Sequence, residues 1–132
     1  MKTTSILIGL FLLTTMVLIA FNLTDNPVGP HGGTVKTAGI YNIEMKNSYP
    51  NLYAFLLDSR LRPMSNKGIS YEVRFNFADS STSIIPLKPF WEDGFSMKLG
   101  SLRYNTCRIN FNVSGKIVSA QFENDNLVAN NK

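Results

Sequence analysis

The stretch "TCRINFNVSGKIVSAQFEN", residues 106–124, predicts a β-hairpin and decides the fold class. Apolar and polar residues alternate on both sides of Ser114 and Gly115, so each half presents one apolar face, as a half-buried strand does. Ser-Gly between two such runs is typical of a tight hairpin turn. The stretch therefore indicates an antiparallel sheet with one buried face and one exposed face.

Further short apolar runs lie upstream, separated by turn residues, at residues 39–46, 52–58, 69–79, 81–89 and 94–99. The run 52–58 is almost entirely apolar, which favours a central strand, whereas Pro86 favours an edge strand or a bulge. We find no amphipathic helix among these runs. About seven short strands predict an all-β protein, a single antiparallel β-sandwich of immunoglobulin-like type over residues 35–124, followed by a polar tail at 125–132.

Residues 1–23 form a separate N-terminal segment with an uncharged, mostly apolar run at 6–21. Its length lies between a signal-peptide core of about 7–15 residues and a membrane span of about 17–25 residues. Leu18 is too large for a good cleavage site ending at Ala20. We therefore favour one uncleaved transmembrane or signal-anchor helix, in contact with the membrane through residues 5–22. The alternative is a cleaved signal peptide.

The charges around this segment orient it. Lys2 precedes the apolar run and Asp25 is the first charge after it, so the C-terminal domain is expected on the outer side of the membrane. This arrangement predicts a bacterial envelope protein, anchored in the inner membrane with its domain in the periplasm. If the segment is cleaved, the domain is instead secreted into the periplasm.

The composition argues against several functions. The net charge is +4, but the basic residues are scattered singly, so we expect no nucleic-acid partner. Cys107 is the single cysteine, which excludes a disulfide within the chain and favours a buried thiol. Three aspartates, Asp58, Asp79 and Asp93, follow strands beside turn residues and are expected to bind the amides of their own turns. With one histidine and no phosphate loop, we predict that the chain is not an enzyme.

The segment 24–34 is predicted to be a Pro/Gly linker, and it contains "PHGG" around the only histidine, His31. An imidazole followed by two glycines can bind copper(II) through a ring nitrogen and the deprotonated amides of Gly32 and Gly33. Met64, near a predicted turn, is a candidate soft donor to copper, whereas Met45 and Met97 are expected in the core. Glu44 and Asp58 are possible oxygen donors, with a surface position and a turn role as their respective alternatives. The other interpretation is an inert spacer in which His31 binds nothing, and for the linker taken alone we favour it.

Two resemblances bear on this site. "PHGG" is similar to the copper-binding repeats of prion proteins, although it occurs once here and no tryptophan follows. Residues 29–122 resemble small periplasmic domains of Bacteroidetes type, and segments attached to heavy-metal efflux adaptor proteins. The shared features are "GPHGG", a strand ending in Asp58, the Pro and Gly before the next strand, and the closing "GKIVSAQF" hairpin. The resemblance implies an envelope location and a link to copper or a related metal, with His31 as the ligand.

These observations predict a membrane-anchored periplasmic accessory domain that binds copper or a related heavy metal. An alternative of a different class stays open. In that alternative, the chain is a structural or interaction subunit of a larger envelope membrane complex with no metal role. Phe90 and Trp91, in "PFWEDGF", would then be the contact residues for the partner.

Overall fold

The computed structural model describes residues 27–100 and 102–124, and nine β-strands account for most of them. In chain order they are β1 (Thr34–Ala38), β2 (Tyr41–Ser48), β3 (Asn51–Leu57), β4 (Ser70–Asn76), β5 (Thr82–Pro86), β6 (Lys88–Phe90), β7 (Gly94–Lys98), β8 (Thr106–Val113) and β9 (Lys116–Glu123). The predicted N-terminal segment at 1–23 and the polar tail at 125–132 lie outside the described residues. Within these residues there is no helix that could cross a bilayer.

The strands form two antiparallel sheets, which confirms the all-β prediction. The first sheet has the order β1-β2-β3-β7-β6, and the second has the order β5-β4-β8-β9. The predicted hairpin is β8 and β9, and its turn residues Ser114 and Gly115 both have positive φ. The run 52–58 overlaps β3, which begins one residue earlier and lies between β2 and β7, as predicted for a central strand.

The number of strands exceeds the predicted seven for two reasons. β1 begins at Thr34, in the segment expected to lead into the domain. The run 81–89 is divided into β5 and β6, because the chain passes from the second sheet to the first at the buried residue Leu87. Each of these two edge strands contains a proline, Pro86 in β5 and Pro89 in β6. Pro86 therefore lies in an edge strand, as predicted.

The main core lies between the sheets and is rich in aromatic residues. Phe75 contacts Tyr104, and Phe95 contacts both Tyr71 and Phe111, with ring centroids 4.0–5.2 Å apart. Met45 and Met97 are both buried in this core, as predicted. Because side chains alternate between the two faces of a strand, these residues lie on the face of each sheet that is turned towards the other sheet. Their burial is the main source of the stability of the fold.

The opposite face of the first sheet is also covered. A second apolar cluster consists of Val35, Phe55 and Leu57, with Tyr53 and Leu61 packed against it. These residues alternate in sequence with residues of the main core, so they project from the outer surface of the sheet. The first sheet is therefore buried on both faces over part of its area, and this second covered region contains the candidate site.

Candidate functional site

The expected linker is a folded part of the domain from Pro27 onward. Residues 27–33, called here the N-terminal turn, are closed by hydrogen bonds from the N–H of Gly29 to the carbonyl of Gly33 at 2.9 Å and from the N–H of Gly32 to the carbonyl of Gly29 at 3.0 Å. The N–H of Val35 donates to the carbonyl of Pro27 at 3.1 Å. The turn therefore lies against the first sheet instead of extending away from it, and the reason is a buried carboxylate.

That carboxylate belongs to Glu44, in the middle of β2. Its side chain is fully buried, so the predicted surface position is wrong. One oxygen, Oε2, accepts the backbone N–H groups of His31 at 3.0 Å and Gly33 at 2.8 Å. The other, Oε1, lies 2.7 Å from His31 Nδ1. Since a buried carboxylate is costly unless its oxygens are hydrogen-bonded, these donors account for the fold of the turn.

The glycines of the motif are explained by close packing around Glu44. A Cβ atom added to Gly29 would lie 2.3 Å from the carboxyl carbon of Glu44, and one added to Gly33 would lie 2.5 Å from the carbonyl oxygen of Met45. Gly32 has a φ of +82°, a conformation that favours glycine. Each glycine of "GPHGG" therefore has a structural reason to be there.

His31 links three elements of the domain. Its ring stacks on Phe55 of β3, with the centroids 3.6 Å apart and the planes 6° from parallel. Nδ1 faces Glu44, and Nε2 lies 3.2 Å from Oδ2 of Asp93, in the turn between β6 and β7. The side chains of His31 and Asp93 are 26% and 34% exposed, so this second contact is accessible to solvent while the first is not.

Strand register explains how residues so distant in sequence meet. In the first sheet, one residue from each of the five strands is paired directly with the next. In spatial order these residues are Val35, Glu44, Phe55, Gly94 and Phe90. Gly94 leaves room for the ring of Phe55, because a Cβ there would lie 2.6 Å from that ring. Asp93 immediately precedes Gly94, and it therefore reaches the histidine that is stacked above Phe55.

The hydrogen bonds determine what His31 can do. An ionised carboxylate only accepts, so Glu44 requires a proton on Nδ1. In the neutral ring, Nε2 then carries a lone pair directed at another carboxylate, that of Asp93. Two lone pairs at 3.2 Å repel each other unless a cation lies between them, either a proton or a metal ion. A proton on Nε2 satisfies this contact as an ion pair with Asp93, and a metal ion would have to take the place of that proton.

The predicted copper ligands are arranged differently from the expectation. The N–H of Gly33 donates to Glu44 and that of Gly32 donates to Gly29, so neither amide is directed towards a metal held by the imidazole. A chelate of the imidazole and two following amides would require the turn to unfold. Among residues 27–100 and 102–124, no group of three or more His, Cys, Asp and Glu side chains is arranged to hold a metal ion.

The other three side chains predicted as site residues lie beside the histidine site without being part of it. They are Met64, Phe90 and Trp91. Met64 is half-buried, packs against the main core and lines a groove to which Asp93 also contributes. Phe90 packs on Tyr53, with the ring centroids 4.8 Å apart. Trp91 is 81% exposed and has a φ of +55°, which is unusual for a residue with a side chain.

Three other titratable residues have structural roles. Cys107 is buried, its Sγ lies 3.4 Å from the sulfur of Met45, and burial raises the pKa of its thiol to about 12.

Asp58 accepts the N–H groups of Arg60 and Arg62, each at 2.9 Å, and the bond from Arg62 lowers its pKa. Asp79 likewise accepts the N–H of Ser81, and its hydrogen bonds with Ser81 lower its pKa. These two aspartates behave as predicted, whereas Asp93 contacts His31.

The comparisons with known proteins leave the site to be judged on its geometry. No protein-family model, curated protein or solved structure matches this chain. The resemblance to periplasmic domains of heavy-metal efflux systems therefore stays a prediction.

Sequence reasoning found His31 and named Glu44 as a possible oxygen donor beside it, but it missed the burial of Glu44 and the contact with Asp93. Strict alternation of apolar and polar residues predicts that Glu44 lies on the solvent-exposed face of its strand. One signal pointed the other way: the run 52–58 is apolar at nearly every position, so both faces of its strand had to be covered. Nothing local to Asp93 signals its contact, because it depends on the register of four strands.

Proposed function

We propose that this chain is a membrane-anchored accessory protein of the bacterial envelope whose exported β-sandwich binds copper or a related divalent metal. In this proposal, Nε2 of His31 and a carboxylate oxygen of Asp93 are the protein ligands. The observation that carries the proposal is their separation of 3.2 Å, with the buried carboxylate of Glu44 behind the ring.

The distances support a metal between the two groups. Nitrogen and oxygen ligands bind such metals at about 2.0–2.2 Å, so two adjacent ligands of one ion lie about 3 Å apart. A metal-bound histidine almost always donates its other ring N–H to a carboxylate or carbonyl, which fixes the ring and makes it a better ligand. The contact of 2.7 Å between Nδ1 and Glu44 is of this kind.

Charge around the site favours a cation. The carboxylates of Glu44 and Asp93 contact the ring directly, and Glu92 is the neighbour of Asp93 in the same turn. In the part of the chain that the structure describes, no lysine or arginine forms a salt bridge with Glu44, Glu92 or Asp93. A bound cation therefore offsets negative charge that His31 alone offsets among the salt bridges of the described residues.

The number and type of ligands point to copper and to reversible binding. Copper(II) accepts imidazole and carboxylate ligands and has the highest affinity in the divalent series. Two protein ligands leave the other positions open, as exchange with a second carrier requires. No catalysis is proposed, since both nitrogens of the only histidine face carboxylates and neither is directed at a nucleophile.

The membrane anchor and the periplasmic location predicted from the sequence are part of the proposal. Residues 1–23 would hold the domain at the inner membrane, with the sandwich in the periplasm. We further interpret the strand order as immunoglobulin-like. After β1, the orders β2-β3-β7-β6 and β5-β4-β8-β9 correspond to strands A-B-E-D and C′-C-F-G of that fold.

A copper titration of the full-length chain in mild detergent tests the proposal. Trp91 is the only tryptophan, and it is two residues from Asp93, so copper bound at the site should quench its fluorescence. We expect Asp93→Asn to lower copper affinity by about 10- to 100-fold or more, since it removes a direct ligand. Glu92→Gln, which removes the same charge one residue away, is the matched control and should lower the affinity far less, because Glu92 is not a proposed ligand. The purification tag must contain no histidine.

Equal copper affinity of the Asp93→Asn and Glu92→Gln chains would overturn the proposal. His31 would then be an imidazolium that joins two carboxylates for structural reasons alone. The second candidate function, an interaction subunit without a metal role, is favoured by the 81% exposure of Trp91 beside Phe90. It predicts that a partner protein co-purifies in detergent equally well with the wild-type and Asp93→Asn chains.

A further inference from the structure

A second groove, of about 430 Å³, lies where the chain passes from β5 to β6. Its lining includes Pro86 at the end of β5, Lys88 at the start of β6 and Lys98 at the end of β7. We call it the lysine groove. None of the residues of the histidine site lines it, so the two sites are separate.

Two lysines line this groove, and no acidic residue does. Lys88 is paired directly with Ser96, and Lys98 lies two residues further along the same face of β7. The two lysines are therefore diagonal neighbours on adjacent strands, about 7–8 Å apart at the backbone. Both are exposed, and neither takes part in a salt bridge with a described residue. The groove thus contains two positive charges that no carboxylate in the described part of the chain contacts.

The end of β6 leaves a backbone donor directed at the lysine groove. The N–H of Leu99 donates to the carbonyl of Pro50 at 2.8 Å, on the β3 side of β7. Successive N–H groups along a strand point to opposite sides, so the N–H of Lys98 points to the β6 side. There the pairing with β6 ends at Lys88, because the chain before it belongs to the other sheet. The register of β6 therefore provides no partner for the N–H of Lys98.

The donors around the groove identify an oxyanion as its ligand. Ammonium groups bind phosphate oxygens as point charges, and free N–H groups at the edge of a sheet form concavities that bind anions. Asn51 and Ser96 also line the groove, and their side chains can donate to further oxygens. Two cations match the charge of a dianion such as a phosphate monoester. Ile85 and Met97 line the groove as well and offer an apolar surface to the organic part of an ester.

We propose that the lysine groove binds a phosphate monoester, carried either by a soluble metabolite or by a lipid headgroup. The ammonium groups of Lys88 and Lys98 pair with the phosphate oxygens, and the N–H of Lys98 and the amide of Asn51 donate hydrogen bonds to them. The proposal is independent of copper binding, because it uses no residue of the histidine site.

An NMR titration of the ¹⁵N-labelled full-length chain, in a mild uncharged detergent at constant ionic strength, tests the proposal. Glycerol 3-phosphate is the soluble probe, and phosphatidic acid added to the same micelles is the lipid probe. We expect the backbone N–H signal of Lys98 to shift and to saturate at one equivalent bound. Lys88→Gln and Lys98→Gln should each weaken binding by about tenfold, since each removes a charged hydrogen-bond donor.

Lys46→Gln is the matched control. Lys46 is exposed on the same face of the first sheet, where it is paired with Tyr53, and it does not line the groove. Its substitution removes the same charge and should lower the affinity far less. Glycerol without the phosphate should leave the Lys98 signal unchanged.

The two probes identify the source of the phosphate. Saturable binding of glycerol 3-phosphate that depends on Lys88 and Lys98 supports the proposal with a soluble ligand, and the same dependence for phosphatidic acid alone supports it with a lipid. If Lys88→Gln and Lys46→Gln weaken binding of both probes equally, or if neither probe saturates the shift of Lys98, the proposal is wrong. The lysines would then contribute only to the general charge of the surface.

Discussion

At the scale of single residues, Glu44 organises the site. Its carboxylate is fully buried, accepts two backbone N–H groups of the N-terminal turn and faces Nδ1 of His31. The same side chain therefore holds the turn in place and orients the imidazole of His31 through Nδ1. These two roles can be separated by a change that keeps the shape of the side chain.

Glu44→Gln should reverse the tautomer of His31 with little effect on the fold. The amide oxygen can still accept the N–H groups of His31 and Gly33, but the amide NH₂ then donates to Nδ1, so the ring proton moves to Nε2. We expect a loss of about 1 kcal/mol in the free energy of unfolding and a 10- to 100-fold loss of copper affinity. Two-bond ¹H–¹⁵N correlation spectra report the tautomer, and urea unfolding reports the stability.

Two comparisons make this result specific. Glu44→Ala should destabilise the domain by about 1–3 kcal/mol, because the N–H groups of the turn lose their acceptor. Glu92→Gln should change neither the tautomer nor the stability. An unchanged copper affinity in Glu44→Gln, together with a reversed tautomer, would show that Nε2 is not the metal ligand.

At the scale of elements, the sequence predicts the strands well, but it predicts poorly which residues pack on the outer face of the first sheet. Alternation correctly predicts the β8–β9 hairpin, the central position of β3 and the core positions of Met45 and Met97. It is wrong for Glu44, because it describes one sheet face at a time and takes no account of a segment that folds back over the sheet. The N-terminal turn was likewise mistaken for a linker, since Pro and Gly mark flexible segments and tight packed turns alike.

Asn66→Ala tests whether one side chain holds the turn between β6 and β7. The variant leaves the carbonyls of Trp91 and Gly94 without the amide that they share, and we expect a loss of about 1–2 kcal/mol in stability. The indole of Trp91 should also become more mobile, which lowers its fluorescence anisotropy. Ser65→Ala is the control, because the hydroxyl oxygen of Ser65 only accepts a longer bond from the N–H of Lys67, at 3.3 Å. Equal anisotropy in the two variants would contradict the role given to Asn66.

At the scale of the whole molecule, burial of the Cys107 thiol makes the stability of the fold depend on pH. Burial raises the pKa of its thiol from 9.0 to about 12, so the folded chain keeps a proton that the unfolded chain loses above pH 9. The unfolded state then binds fewer protons, and stability falls as pH rises between about 9 and 12.

We expect the free energy of unfolding to fall with a slope of up to about 1.4 kcal/mol per pH unit from this residue in that range. Cys107→Ala should lack this component, whatever its stability at neutral pH. Denaturant unfolding of both proteins from pH 8 to pH 11 gives the two slopes, and their difference cancels the contribution of tyrosines and lysines. Identical slopes would mean that the thiol ionises as readily in the folded chain as in the unfolded one.

The passage of the chain from β5 to β6 has a consequence for solutions in which many copies of the chain are concentrated. Both strands on that side of the sandwich contain a proline, Pro86 or Pro89, and β6 has only three residues. Proline has no N–H to offer an incoming strand, so this border is a poor template for polymerisation into larger sheets. Copies that meet on this side therefore do not pair readily through their backbones. A partner that binds on this side must recognise side chains such as those of Phe90 and Trp91, and not the backbone.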